Sequence, residues 1–184
     1  SHNDRIVKWI SAMCNRIFTS RDIPAEWHVA KIACLFKKGD PTVPENYRPV
    51  SLLPVGYKVF ASILLQRLKN AGAESRIMET QYGFKSGAGT RDVIFIVRRM
   101  LDQCALGRDH PLIFLALDWA KAFDSISVEG LLTALRRFGL SHHIVQMVAE
   151  IYRDRKFVVA DSGHISQEYA QSSGISQGCP LSPF

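Results

Sequence analysis

The chain has 184 residues, 47% of them hydrophobic and 22% charged, a globular composition about one domain long that excludes a disordered or low-complexity protein. Its formal net charge of +6 favours an anionic partner, nucleic acid first and acidic lipid second, without requiring either. No apolar run is long enough to span a bilayer and no secretory signal is present, while the four cysteines lack the spacing of a zinc site or a disulfide framework and read as reduced core residues of an intracellular protein.

From about residue 4 to 18, Ile6, Ile10, Met13 and Ile17 recur at helical spacing, and RDIPAEW ends that helix. HVAKIACLFKKGDPTVPENYRPVSLLP reads as an extended segment, a loop and a second extended segment, because Gly39, Pro41, Pro44 and Pro49 exclude a helix there. Val55, Val59, Ile63 and Leu64 predict an amphipathic helix to about residue 68, after which QYGFKSGAGT turns extended again. Thr90 reads as an N-cap with Asp92 in the first turn, followed by Val93, Ile96, Val97, Met100, Leu101 and Cys104 at helical spacing. Residues 112–118 predict a buried strand, since the run is short, apolar on both faces and bounded by Pro111 and a turn. Ser127 caps a helix that turns Val128, Leu131, Leu132, Leu135 and Phe138 inward and ends at Gly139; Ser141 caps the next, with Ile144, Val145, Val148, Ile151 and Tyr152. KFVVADSGHISQEYAQS predicts a hairpin that turns at Ser162-Gly163. Strands interleaved with helices put the fold in the α+β or α/β class.

Asp118 closes the apolar run, and a carboxylate at the end of a buried strand is costly unless a cation or hydrogen bonds satisfy it. Three roles compete. Asp118 caps the following turn or pairs with a lysine. It is a phosphoacceptor at the end of a strand, as in receiver domains, although the acidic pair and the lysine that such a fold needs do not occur. Or it ligates Mg²⁺ for phosphoryl transfer, where an open strand end leaves room for water and substrate phosphates.

LALDWAKAFDSI resembles the first palm motif of reverse transcriptases, aliphatic-x-x-D-x-x-x-A-[FY]-D. It is joined in order by ENYRPVSLLPVGYKVFASILLQRL, QYGFKSGAGTRD and GISQGCPLSPF, which resemble the finger and palm motifs of non-LTR (LINE-type) retrotransposon reverse transcriptases and, more distantly, group II intron enzymes. The resemblance implies an α+β, right-hand polymerase fold. Residues 1–26 would be an N-terminal helical segment, 27–110 the fingers, and 111–184 a partial palm whose antiparallel sheet packs on helices. It also implies an RNA-directed DNA polymerase that extends a DNA primer with dNTPs on an RNA template, using two Mg²⁺ ions.

By that resemblance Asp118 is the first of three catalytic aspartates and a metal ligand, and Trp119 adds its backbone carbonyl beside it. Ala122 and Phe123 border the nucleotide, Phe123 as the steric gate that crowds a ribose 2′-hydroxyl, with a plain core aromatic as its alternative. Asp124 reads as a structural cap of the turn. Arg48, with Lys37 or Lys38, would clamp the triphosphate; Arg offers a planar fork and Lys a point charge. Alternation along a strand points the two lysines opposite ways, and the sequence does not choose between them. Gln177 would touch the incoming nucleotide. Lys85, Gly87 and Arg91 would grip the template backbone at a helix N-terminus, and Gly178 and Pro180 would shape the turn beneath the template base.

The family's third palm motif, an aromatic-x-Asp-Asp hairpin, does not occur in these residues, and neither does a thumb. The abrupt apolar ending at QGCPLSPF predicts a cut through a domain. One carboxylate cannot hold two divalent ions with useful affinity, so the chain alone is expected not to polymerise. The alternative is a short, non-catalytic reverse-transcriptase-like module for nucleic-acid binding or assembly. Further expectations are self-association through an exposed palm edge, no membrane partner, and a nuclear and cytoplasmic location if the parent is a eukaryotic retroelement.

Overall fold

The computed structural model describes residues 2–107 and 112–184. Pro111 and the expected fingers–palm boundary at 110/111 lie outside the described residues.

Helix α1 (His2–Ser20) is the first predicted element, extended by about a turn, and it turns Cys14 and Ile17 into the core. Strand β1 (Val29–Phe36) pairs antiparallel with β2 (Tyr47–Leu52) across the Gly/Pro loop, with Leu35 opposite Arg48 and Ile32 opposite Ser51. Helix α2 (Val55–Asn70) forms where expected but buries a different face: Tyr57, Phe60, Ala61, Leu64 and Leu68 point inward, while Val55 is exposed. The helix is apolar on more than one side, and the aromatic pair decides its rotation by packing on Trp27. The Trp27 ring meets Tyr57 edge-on at 5.7 Å and lies 5.9 Å from Phe60.

Residues 80–89 form consecutive turns and no strand, with Phe84 and Gly87 both in the left-handed region. Helix α3 (Thr90–Leu106) is capped one residue earlier than predicted: Gly89 is the N-cap, and its N–H donates to Asp92 Oδ2 at 2.7 Å. The expected inward face of α3 is uncovered, with Met100 and Leu101 about half exposed. Short α4 (Ala122–Ser125), α5 (Val128–Arg137) and α6 (His142–Tyr152) follow. Ser127 and Ser141 cap the last two as predicted, each accepting a backbone N–H three residues on. Strand β3 (Lys156–Asp161) turns into β4 (His164–Ile165) through Ser162 and Gly163, both at positive φ, and β5 (Tyr169–Ala170) returns to the start of β3.

The sheet runs β2-β1-β3-β4, with β5 also on β3, and it is mixed rather than purely antiparallel because β1 and β3 are parallel. One core joins Cys14 and Ile17 of α1, Trp27, Ala30 of β1, the α2 face, Met147 and Ile151 of α6, and Cys179. Among the described residues no helix is long and apolar enough to cross a membrane.

Residues 112–118 depart most from expectation. They form no strand, and Leu115 and Leu117 are 75% and 82% exposed. A strand buried on both faces needs a ladder partner and cover above and below. Among the described residues no strand pairs with this run, and apolar composition alone does not bury it. The cysteines also divide: Cys14 and Cys179 are buried, Cys104 is half-buried and Cys34 is exposed. Cys34 lies near the end of β1 that carries the open loop, beyond the reach of the core.

Candidate functional site

The segment that gathers the predicted residues is 173–178. On one side it clamps the turn that follows Asp118. Ile175 N–H donates to Phe123 O at 2.8 Å and Gly174 N–H to Ile126 O at 2.7 Å, while Ser173 Oγ reaches Asp124 O at 3.3 Å. Gly174 has φ +88, and a Cβ there would lie 3.1 Å from Asp124 Cα, so the two segments touch backbone to backbone. On the other side, Ser51 N–H of β2 donates to Gln177 O at 2.8 Å.

Gly178 follows at φ +118, where a Cβ would come 2.7 Å from Ser51 O. Its glycine is required by this close approach to β2. Pro180 is half-buried just beyond it. Cys179 Sγ meets Tyr57 Oη at 3.2 Å inside the core. Burial first, and the neighbouring thiol second, push the Tyr57 hydroxyl well above the usual tyrosine range, so it stays neutral.

Between these elements lies a cleft of ≈ 310 Å³. Its floor is Ile32, Phe157, Val159 and Ile175, and its rim carries Asp124 and Gln177. Gln177 Nε2 donates to both Asp124 carboxylate oxygens, each at 3.4 Å. The sequence predicts a local cap for Asp124, but its side chain bonds across 53 positions to Gln177. Nothing in the local spacing carries that pairing.

The β1–β2 register separates the cationic residues. Residues opposite one another share a face, so Arg48 stands with Leu35. Lys37 N–H donates to Asn46 O at 2.8 Å, which carries the same register one pair further. Lys37 therefore follows Leu35 on the face of Arg48, whereas Lys38 lies in the bend beyond β1, where alternation no longer assigns a face. Ile32, Cys34, Pro49 and Ser51, which line the cleft, occupy the face opposite Arg48. The structure thus pairs Gln177 with Asp124 at the cleft, ties Phe123 to the same segment through its backbone carbonyl, and sets Arg48 with Lys37 across the sheet from them.

Asp118 and Trp119 stand apart, both exposed, Trp119 at 85%. Ala122 opens α4 after Lys121, whose φ is 51, and Phe123 is half-buried. Among the described residues no three of His, Cys, Asp and Glu come together in a group that could hold a metal ion. As placed, these side chains do not fit a two-ion site.

The template-loop residues lie elsewhere. Gly87 and Arg91 line an open cleft of ≈ 720 Å³ at the start of α3, and Lys85 Nζ donates to Met78 O at 3.5 Å. Asp92 already occupies the exposed N–H of Gly89, which lowers the pull of this helix end on a phosphate. The loop is anchored by Glu74: Lys69 Nζ lies 2.8 Å from its carboxylate and Ser86 Oγ donates to it at 2.9 Å. The Lys69 hydrogen bond first, then that of Ser86, hold the Glu74 carboxyl below the usual carboxylate range. A lowered folded pKa means that the anchor is intact above the ordinary Glu range and lost as pH falls through the lowered value. The Ser86 and Gly87 amide resonances are expected to move to random-coil positions on acidification, and Glu74→Gln to produce the same change at neutral pH. A loop that keeps its shifts in Glu74→Gln would refute the anchor.

Residues 36–184 match the family model for reverse transcriptase (RNA-dependent DNA polymerase). The chain belongs to the reverse transcriptase family. It is 32% identical over 165 residues to the transposon TX1 uncharacterized 149 kDa protein of Xenopus laevis, covering 90% of this chain and 12% of that protein. It is 27% identical to the probable RNA-directed DNA polymerase from transposon BS of Drosophila melanogaster, over 98% of this chain and 20% of the relative. With the RNA-directed DNA polymerase from mobile element jockey of the same fly, identity is 26% over 98% of this chain and 20% of the relative. The resemblance to retrotransposon enzymes drawn from the motifs is borne out. The chain spans a fifth or less of the length of these relatives.

Proposed function

We propose that this reverse transcriptase chain supplies the nucleotide- and template-binding part of an RNA-directed DNA polymerase that extends a DNA primer with dNTPs on an RNA template. The supporting observation is the double clamp on residues 173–178, which ties Gln177 at once to β2 and to the turn that carries Phe123. Arg48 and Lys37 share the face of the β1–β2 ribbon away from the cleft and suit a triphosphate, a forked donor beside a point charge, so one nucleotide would meet them and Gln177 together only round the β2 edge of the sheet. Phe123 would bound the sugar and Gln177 would contact the nucleotide. Lys85, Gly87 and Arg91 would meet the template backbone, with Gly178 and Pro180 beneath the template base. Asp118 would serve as a metal ligand, for Mg²⁺ by preference, only where further carboxylates join it, so the isolated chain is expected to show no primer extension. The uncovered apolar residues of α3 and 112–119 would favour self-association, visible as concentration-dependent sedimentation.

The test is binding of an RNA template annealed to a DNA primer, together with photo-crosslinking of a dNTP. Binding is expected to weaken steeply with salt. Arg48→Ala and Lys37→Ala are each expected to reduce crosslinking about tenfold, the order of a charge-assisted hydrogen bond. Salt-independent binding, or crosslinking unchanged by Arg48→Ala, would contradict this reading.

A further inference from the structure

We propose that Asp124 is a positioning residue that fixes which end of the Gln177 amide faces the nucleotide. The inference rests on the reading of Gln177 as a nucleotide contact and goes further by assigning the polarity of that contact. An ionised carboxylate accepts hydrogen bonds and donates none, whereas a glutamine amide has a donor end and an acceptor end. Facing Asp124, Gln177 must therefore present its Nε2, as found, with both Asp124 oxygens at 3.4 Å. The acceptor Oε1 is left for whatever occupies the cleft. It would recognise a donor, such as a sugar hydroxyl or an exocyclic amine, and not a phosphate oxygen.

Asp124 is itself held from several directions. Its carbonyl accepts from Ser173 Oγ, its Cα lies against Gly174, and the carbonyls of Phe123 and Ile126 on either side accept from Ile175 and Gly174. The carboxylate thus sits on a backbone that the Gln177 segment has already fixed, and little freedom is left to lose when the side chains pair. The cleft they border has an apolar floor and a volume of ≈ 310 Å³, the lower end of the range for small-ligand sites. In such a site, a few oriented polar groups at the rim set the selectivity.

Two measurements on the 184-residue chain test this. Side-chain amide exchange of Gln177, followed by NMR, is expected to be about fivefold slower than in a free glutamine, and Asp124→Asn to remove that protection. Affinity for dTTP is expected to fall about fivefold in Asp124→Asn and about as much in Gln177→Ala, with the double variant no weaker than Gln177→Ala alone. Multiplying losses in the double variant would show that Asp124 acts by itself and would overturn the positioning role. Exchange unchanged by Asp124→Asn would overturn the pairing while leaving Gln177 as a nucleotide contact. Unchanged dTTP affinity in Gln177→Ala would remove the nucleotide contact itself, and with it any positioning role, even where the amide remains protected.

Discussion

Gly178→Ala is expected to destabilise the chain by about 3 kcal/mol, measured by urea or thermal unfolding. Two costs combine. At φ +118 an L side chain is strained, which costs about 1–2 kcal/mol, and the new Cβ would sit 2.7 Å from the backbone oxygen of Ser51. A flexible side chain could swing away from such a contact, but the carbonyl of a paired β2 residue cannot move without disturbing Ser51 N–H···O Gln177 and the ladder to Ile32. Gly87→Ala is the control. Gly87 also has a positive φ, +75, but nothing lies within 4 Å of its Cβ position. Only the backbone term remains there, about 1 kcal/mol. Equal losses at the two sites would mean that the close approach of 178 to β2 does not exist. Because β2 also carries Arg48, any backbone shift that relieves the clash moves that side chain as well, so triphosphate crosslinking should fall in Gly178→Ala and not in Gly87→Ala.

What the sequence made legible follows from how local each signal is. Ser127 and Ser141 declare their helices because a cap acts within four residues, and Ser162-Gly163 declares a hairpin because both turn positions need positive φ. The family was legible through four motifs in order, and residues 36–184 match it. The parallel pairing of β1 with β3 joins residues more than a hundred positions apart and leaves no local trace. The rotation of α2 was set by Trp27, outside the helix, where Tyr57 and Phe60 could reach it. At Asp124 a turn cap is visible in sequence and a bond to Gln177 is not. The apolar run ending at Asp118 misled for the opposite reason. Its composition is that of a buried strand, but burial belongs to neighbours, and among the described residues none pairs with it.

That last difference can be decided by stability alone. Trp27 is 5% exposed, and its ring is wedged between Tyr57 and Phe60, with Gly56 so close that a Cβ there would lie 3.1 Å from Cζ2. Trp27→Ala removes the largest ring from the point where α1, α2 and the start of β1 converge. It should cost about 3–5 kcal/mol, enough to unfold a marginal domain. Leu117→Ala sits at the other extreme. At 82% exposure its side chain buries little apolar surface, and the expected change is within about 0.5 kcal/mol, as for Trp119→Ala at 85%. Were 112–118 the buried strand that its composition suggests, Leu117→Ala would instead cost about 2–5 kcal/mol. Tryptophan fluorescence reports on the same contrast. Of the three tryptophans only Trp27 is buried, since Trp9 is 67% exposed. A chain carrying Trp9→Phe and Trp119→Phe should therefore keep its stability and emit only from the core. An unfolding midpoint lowered by Leu117→Ala as much as by Trp27→Ala would show that Asp118 stands at the end of a packed strand after all.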